Sequence, residues 1–213
     1  MNVSEEKIRE YVEAYSEKES ELLQKIYRET HLTTVYPQML SGNHQGKLLG
    51  MLARISGAKT ILEIGTFTGY SAIAMAEMTD SDVIIHTIEA NEEFESRIRQ
   101  NIKDGGFEDR IILHTGDAAE IIPLMDIEPD FVFIDADKPG YPFYYKMLIN
   151  KIPKGGIIVA DNVLWGGKVA GDTGKDDRDT RAIKKFNEMV DKDLSVWNII
   201  LPLRDGLMLI VKK

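Results

Sequence analysis

Five short, nearly continuous apolar runs recur between residues 60 and 161, each separated from the next by a segment of helical character. They are TILEI (60–64), VIIHTI (83–88), RIILH (110–114), DFVFID (130–135) and GIIVAD (156–161). Runs with so little polar alternation suit strands covered on both faces, as in a parallel sheet. Parallel neighbours need crossovers, and the intervening segments supply them as helices. One helix starts near Tyr70 and is rich in alanine. Another is capped by Asn91, carries Glu92 and Glu93 in its first turn, and shows Phe94, Ile98 and Ile102 on one face before Gly105 and Gly106 stop it. After a helix bearing Ile183, Phe186, Met189 and Val190 come two further runs, VWNIIL (196–201) and LMLIV (207–211). Their link, with Pro202, Asp205 and Gly206, is too short for a crossover and fits an antiparallel hairpin. The expected architecture is α/β: a seven-stranded, mostly parallel open sheet closed by a C-terminal antiparallel hairpin.

The first 58 residues follow another rhythm. Ile8, Tyr11, Val12 and Tyr15 form one helical stripe, Leu22, Leu23, Ile26 and Tyr27 a second, and Leu48, Leu49, Leu52 and Ile55 a third that ends at Gly57. Pro37 and Gly42 break the link between the second and third. The 213 residues read as one domain, with a helical cap over 1–58 and an α/β core over 59–213. No cysteine is present, which excludes disulfides, thiolate metal sites and a cysteine nucleophile and fits a reducing, cytoplasmic setting. The charge of −9 makes phosphate-driven nucleic-acid binding a poor match, apart from a local patch of Lys47, Arg54 and the Lys168–Lys175 segment. MNVSEEKIRE lacks the apolar core of a secretory signal, and no stretch approaches the roughly 20 apolar residues that span a bilayer.

Ligands of an open α/β sheet bind at the carboxyl ends of its strands, so those ends carry the functional reading. The first strand runs into Glu63-Ile-Gly65-Thr-Phe-Thr-Gly69-Tyr-Ser71. Gly65 and Gly69 let a ligand approach the backbone, but their spacing is not that of a dinucleotide fingerprint. Glu89 ends the second strand, 24 residues after Gly65, where a carboxylate can accept from both hydroxyls of a ribose; beside Asn91 it also reads as a helix-start acid. Gly116-Asp117-Ala118 follows the third strand. Asp117 suits the exocyclic amine of adenine and Ala118 offers a backbone amide to a ring nitrogen, although Asp117 alone reads first as a helix cap. Strand four ends in Asp135-Ala-Asp137-Lys138 and strand five in Asp161-Asn162. Adjacent parallel strands would bring Asp135, Asp161 and Asn162 together, and two carboxylates with an amide suit Mg²⁺, Mn²⁺ or Ca²⁺.

Five parallel strands with a terminal hairpin resemble the Rossmann-like class I adenosylmethionine-dependent methyltransferases. More closely, EIGTFTGYS, the acid at strand two, GDA, DADK and DNVLWGG stand in the order of the cation-dependent O-methyltransferases, the family of caffeoyl-CoA O-methyltransferase, related to catechol O-methyltransferase. The resemblance runs from about residue 36 onward. It implies that Ser41, Glu63, Gly65, Ser71, Glu89, Ala118 and Asp137 contact S-adenosyl-L-methionine, with Asp117 and Asp135 beside them. It implies that Asp135, Asp161 and Asn162 hold a divalent ion and that Lys138 is the general base. Ser41-Gly-Asn-His-Gln-Gly-Lys47 and Gly166 depart from the plant pattern T-S-A-D-E-G-Q and its substrate-contacting asparagine, which argues against plant-type acyl-CoA substrates. A catechol-like small molecule is the expected acceptor, with 5-hydroxyuridine of tRNA, known from a bacterial member, as the alternative. The family resemblance also implies a homodimer covered by the amphipathic N-terminal helices.

Four further readings stay open. His86 and His114 fall in strand runs and read as structural, whereas His44 could line the substrate mouth. The segment 163–179 could be a lid, with Trp165 stacking on substrate. Tyr141, Phe143 and Tyr144 read as the start of a buried helix rather than an aromatic cage.

Overall fold

The apolar runs become the strands of one seven-stranded sheet. The computed structural model describes residues 5–172, 174 and 177–213. The strands are β1 (Thr60–Ile64), β2 (Ile84–Glu89), β3 (Ile111–Thr115), β4 (Phe131–Ile134), β5 (Ile157–Ala160), β6 (Val196–Leu201) and β7 (Leu207–Lys212). Their order is β3-β2-β1-β4-β5-β7-β6. β1 to β5 pair in parallel, and β7 inserts antiparallel between β5 and β6. The chain winds outward from β1 through β2 to β3, then returns to β4 beside β1 on the other side. A crevice therefore opens over the carboxyl ends of β1 and β4.

Alternate strand residues feed two apolar layers. Ile61, Phe131 and Phe133 pack on one side with Ile73 and Leu49. Leu62, Val132 and Ile134 pack on the other with Tyr141 and Phe186. Around β1, β4 and β5 both faces are dry, which is why those runs read as continuous rather than alternating, whereas the outer β3 and β6 are partly exposed. Truncating Phe133, fully buried, to alanine would cost about 3–5 kcal/mol.

The helices are α1 (Glu5–Tyr15), α2 (Glu21–Thr33), α3 (Gly42–Ser56), α4 (Tyr70–Met78), α5 (Glu95–Asp104), α6 (Ala118–Ile121), α7 (Tyr141–Leu148) and α8 (Arg178–Asp191). Ser20 caps α2 by accepting from Leu23 N at 3.1 Å and pins it to α4 by donating to Glu77 at 2.6 Å. α1 forms where expected, but its stripe faces solvent in the single chain: Tyr11 is 64% and Tyr15 77% exposed.

α3 corrects its expected stripe. The buried face is Gln45, Gly46, Leu49, Gly50 and Ala53, while Ile55 is 82% exposed. The cause is a pair of glycine notches. A Cβ on Gly46 would meet Ala74 Cβ at 3.0 Å, and one on Gly50 would meet Met78 Cβ at 2.9 Å. α3 therefore lies close against α4 through its glycines, and that rotation turns Gln45 inward. Among the described residues, no helix is long and apolar enough to cross a membrane.

Candidate active site

A cleft of about 1980 Å³ opens over the carboxyl ends of the parallel strands. Its walls include Ser41, Gly65, Ser71, Glu89, Asp117 and Ala118. Asp135, Asp137, Lys138, Asp161 and Asn162 line it as well. Of the site residues expected from sequence, Glu63 alone is not on the wall; it lies wholly buried at the end of β1. Gly65 stands where the β1 loop crosses β4, and a Cβ there would collide with the main-chain carbonyl of Asp135. Its φ of +97° is one that only glycine adopts readily.

Glu89 organises the loop after β1. Its Oε2 accepts from Thr66 N at 3.2 Å and Phe67 N at 2.7 Å, and its Oε1 accepts from Asn91 N at 2.9 Å. The helix-start reading fails for it, because Asn91 supplies that cap by accepting from Glu93 N at 3.0 Å. Oε2 is filled by those two donors, whereas Oε1, with one, keeps acceptor capacity for a ligand. Asp117 fulfils the cap reading, accepting from Ala119 N at 2.8 Å, and lines the cleft as well. Asp137 is held by Gly140 N at 3.0 Å and the Tyr144 hydroxyl at 2.7 Å.

Beneath this wall, Glu63 Oε2 accepts from Thr87 Oγ1 at 2.5 Å, while Oε1 is buried without a partner. Burial pushes the Glu63 carboxyl up to about 7, opposed by the nearby Ser71 hydroxyl and the hydrogen bond from Thr87. An orphaned buried acceptor at the end of β1 is the feature expected beneath a cationic ligand such as the ammonium of an amino-acid moiety, so the residues present fit a donor of that kind.

Across the cleft, Asp135 Oδ1 accepts from Lys138 Nζ at 3.2 Å. Lys138 also donates to Tyr141 Oη at 2.8 Å, and its ammonium lies 5.7 Å from the Trp165 ring centre. Asp161 is 3% exposed; burial and then the neighbouring Asp135 charge push it up to about 6. Its Oδ1 accepts from Asn162 N and its Oδ2 from Gln45 Nε2, both at 2.6 Å. Asn162 sits in the left-handed region at φ +56°, which asparagine tolerates. Among the described residues, no group of three or more carboxylate, histidine or cysteine side chains is placed to hold a metal. The set here is two carboxylates and an amide, hard oxygen donors that fit a divalent cation of the Mg²⁺ class.

The structure also reassigns several residues. His44 is not on the cleft wall: it is next to the inward-facing Gln45, and one helical step turns it aside. Tyr141 and Tyr144 are buried at the start of α7 as expected, but Phe143 is 48% exposed and lines the cleft. The beginning of segment 163–179 is anchored. Val163 N donates to Gly206 O at 3.1 Å, Leu164 N to Asp205 O at 2.9 Å, and Gly166 N to the Asp205 carboxylate. Trp165–Ala170 then make short 3-10 turns broken by a kink at Gly166 and Gly167, whose φ values are +60° and +77°, and α8 begins at Arg178. Thr173, Lys175 and Asp176 of that segment lie outside the described residues. The expected basic patch is ion-paired: Lys47 with Glu17 at 3.3 Å, Arg54 with Asp80 at 3.2 Å and Lys168 with Asp177 at 3.9 Å. Its remaining member, Lys175, is among the undescribed residues.

Residues 13–213 match the family model described as O-methyltransferase. The chain is 33% identical over 186 residues to a catechol O-methyltransferase of Niastella koreensis, covering 83% of this chain and 84% of the relative. It is 33% identical over 175 residues to a caffeoyl-CoA O-methyltransferase of Populus kitakamiensis, covering 78% and 74%. Among solved structures, the O-methyltransferase TomG of Streptomyces achromogenes, in complex with SAM, superposes with a TM-score of 0.88 at 31% identity, covering 97% and 96%.

Proposed function

Because this chain belongs to the O-methyltransferase family, we propose that it methylates a hydroxyl next to a second oxygen on a small aromatic molecule, using S-adenosyl-L-methionine and a divalent cation. One observation carries the reading: a ribose-type carboxylate, Glu89, lines the same cleft as a paired-carboxylate centre and a lysine, with the buried, half-satisfied Glu63 in the strand beneath. We assign donor contacts to Ser41, Glu63, Gly65, Ser71, Glu89, Asp117, Ala118, Asp135 and Asp137. Asp135, Asp161 and Asn162 are assigned to the cation; bound there, it would supply Lewis-acid chemistry that lowers the pKa of the acceptor hydroxyl.

The chain's own residues then have distinct tasks. Glu89 and Asp117 hold the nucleoside end of the donor and Glu63 its cationic end, so the substrate oxygen and the transferred methyl meet in line. Lys138 Nζ is the group that takes the hydroxyl proton. Asp135 and Tyr141 Oη stand at 3.2 and 2.8 Å to accept hydrogen bonds from the ammonium that results. The Trp165 ring closes one side against water. We further read residues 1–58 as a cap on the 59–213 core, and the exposed α1 stripe as cover for a second copy in a homodimer.

The test is transfer from labelled donor to a catechol panel and, side by side, to total tRNA. Turnover of a catechol should vanish in EDTA and return with Mg²⁺. Full turnover in EDTA after thorough metal removal overturns the cation assignment. A much higher kcat/KM for tRNA than for any catechol overturns the substrate class.

A further inference from the structure

The geometry points to Gln45 and Arg204 as positioning residues that hold the Asp161 carboxylate in its ion-binding orientation. Neither was singled out by the sequence, and neither is in the donor or cation set assigned above. The inference rests on the reading of Asp161 as a cation ligand.

Gln45 is fully buried on α3, and its Nε2 reaches Asp161 Oδ2 at 2.6 Å across 116 residues of sequence. A terminal amide can rotate by half a turn and present oxygen where nitrogen stood, which would set an acceptor against a carboxylate. Arg204 prevents this. Its Nη1 donates to Gln45 Oε1 at 3.3 Å, and a guanidinium has no acceptor. The amide oxygen must face Arg204, so the amide nitrogen must face Asp161.

Arg204 is itself fixed. It projects from the β6–β7 link with φ +51°, a left-handed backbone that a long side chain seldom holds without external support. That support comes from Nη1 on the Ser41 carbonyl and Nη2 on the Gln38 carbonyl, the latter at 3.3 Å. The opposite oxygen of Asp161 accepts from Asn162 N at 2.6 Å. With one donor on each oxygen, the carboxylate plane is set, and each oxygen retains a lone pair for a cation. Outer hydrogen bonds of this kind orient metal ligands, and losing one typically costs about 10–100-fold in metal affinity. Ser41 is among the residues assigned to the donor, so the same chain of hydrogen bonds links that assignment to the cation site.

A merely structural pair would affect stability but not ion affinity. The experiment titrates Mn²⁺ into the full chain, read by electron paramagnetic resonance, with Tm measured on the same samples. Asp161→Ala should lose Mn²⁺. Gln45→Met, similar in length but without a donor, should weaken Mn²⁺ by about 10–100-fold. Arg204→Met should weaken it less, because the amide can still point correctly part of the time. The double variant should match Gln45→Met alone, since Arg204 acts through Gln45. Unchanged Mn²⁺ affinity in Asp161→Ala overturns the ligand assignment itself. Loss in Asp161→Ala with wild-type affinity in Gln45→Met overturns the positioning role and leaves the cation site standing. If Gln45→Met does not fold, Arg204→Met decides: a lowered Tm with wild-type Mn²⁺ affinity overturns the proposal.

Discussion

Glu63 and Thr87 face each other in register across β1 and β2, joined by a 2.5 Å hydrogen bond that leaves Glu63 Oε1 buried and unpaired. Burial holds this carboxyl near 7, so in the free protein it is largely protonated below neutrality. A ligand ammonium beside it would favour the carboxylate and expel the proton. The affinity for S-adenosylhomocysteine should therefore rise with pH by up to about tenfold per unit below 7 and level off above. Calorimetry in buffers of different ionisation enthalpy should show proton release, and Glu63→Gln should abolish it. The same shift predicts that the ligand-free protein loses stability as pH rises from 4.5 to about 7, by no more than roughly 3 kcal/mol. A pH-independent affinity with no proton release would remove Glu63 from the donor site.

Glu89→Ala should weaken the donor more than the acceptor substrate. Ribose hydroxyls left without an acceptor cost about 1–3 kcal/mol, or roughly 5–150-fold in affinity. The substitution also frees Thr66 N and Phe67 N, so the loop after β1 should exchange its amide hydrogens faster. An unchanged dissociation constant for S-adenosylhomocysteine would show that Glu89 serves the loop alone.

How much of this was legible follows from the range of each interaction. The central strands were readable because both faces of the sheet are dry there, so burial printed itself as unbroken apolar runs. The strand-end acids were readable because topology alone brings the ends of β1, β2, β4 and β5 to one crevice. Gln45 was not, because its partner lies 116 residues away and the polar stretch around it looks like a loop. Gly46 and Gly50 held the missing signal: two notches four residues apart mark the close face of α3 better than its leucines do. Arg204 was hidden in the hairpin link, where only the fold brings Gln38 and Ser41 within reach. The histidines divide. His44, which could have lined the substrate mouth, is off the cleft, while His86 and His114, read as structural, meet on neighbouring strands through a contact their distance in sequence did not show.

That histidine pair should make the protein acid-sensitive. His86 Nδ1 and His114 Nε2 are 3.1 Å apart, and such a contact requires one nitrogen to donate and the other to accept. Burial lowers both imidazoles, and the His114 charge further lowers His86. A base with a lowered folded pKa contributes stability that is full above its ordinary value of 6.5 and is lost as pH falls below it. This is opposite in sign to the effect of Glu63, so the two must be separated by mutation. Urea midpoints of wild type and His114→Gln, compared at about pH 7.5 and about pH 5.5, should converge at the lower value. A constant difference between the two proteins at both pH values would exclude the pair as a proton-linked element.

Lys138→Met should impair chemistry far more than binding. Methionine preserves most of the side-chain length and its contact with the aromatic walls but cannot take a proton. General-base loss typically costs about 10²–10⁴-fold in rate. Donor affinity should change little, because Lys138 contacts Asp135 and Tyr141 on the acceptor side of the cleft. Tyr141 cannot substitute as the base, since its hydroxyl proton is directed to the carbonyls of Ile134 at 3.2 Å and Asp161 at 3.0 Å, and burial pushes its own ionisation well above the usual tyrosine range. Raising the pH should therefore rescue the variant only through hydroxide from solvent, which narrows the gap to wild type without an inflection from Tyr141. Single-turnover methyl transfer across pH measures this directly. A near wild-type rate at neutral pH would reduce Lys138 to a partner that steadies Asp135.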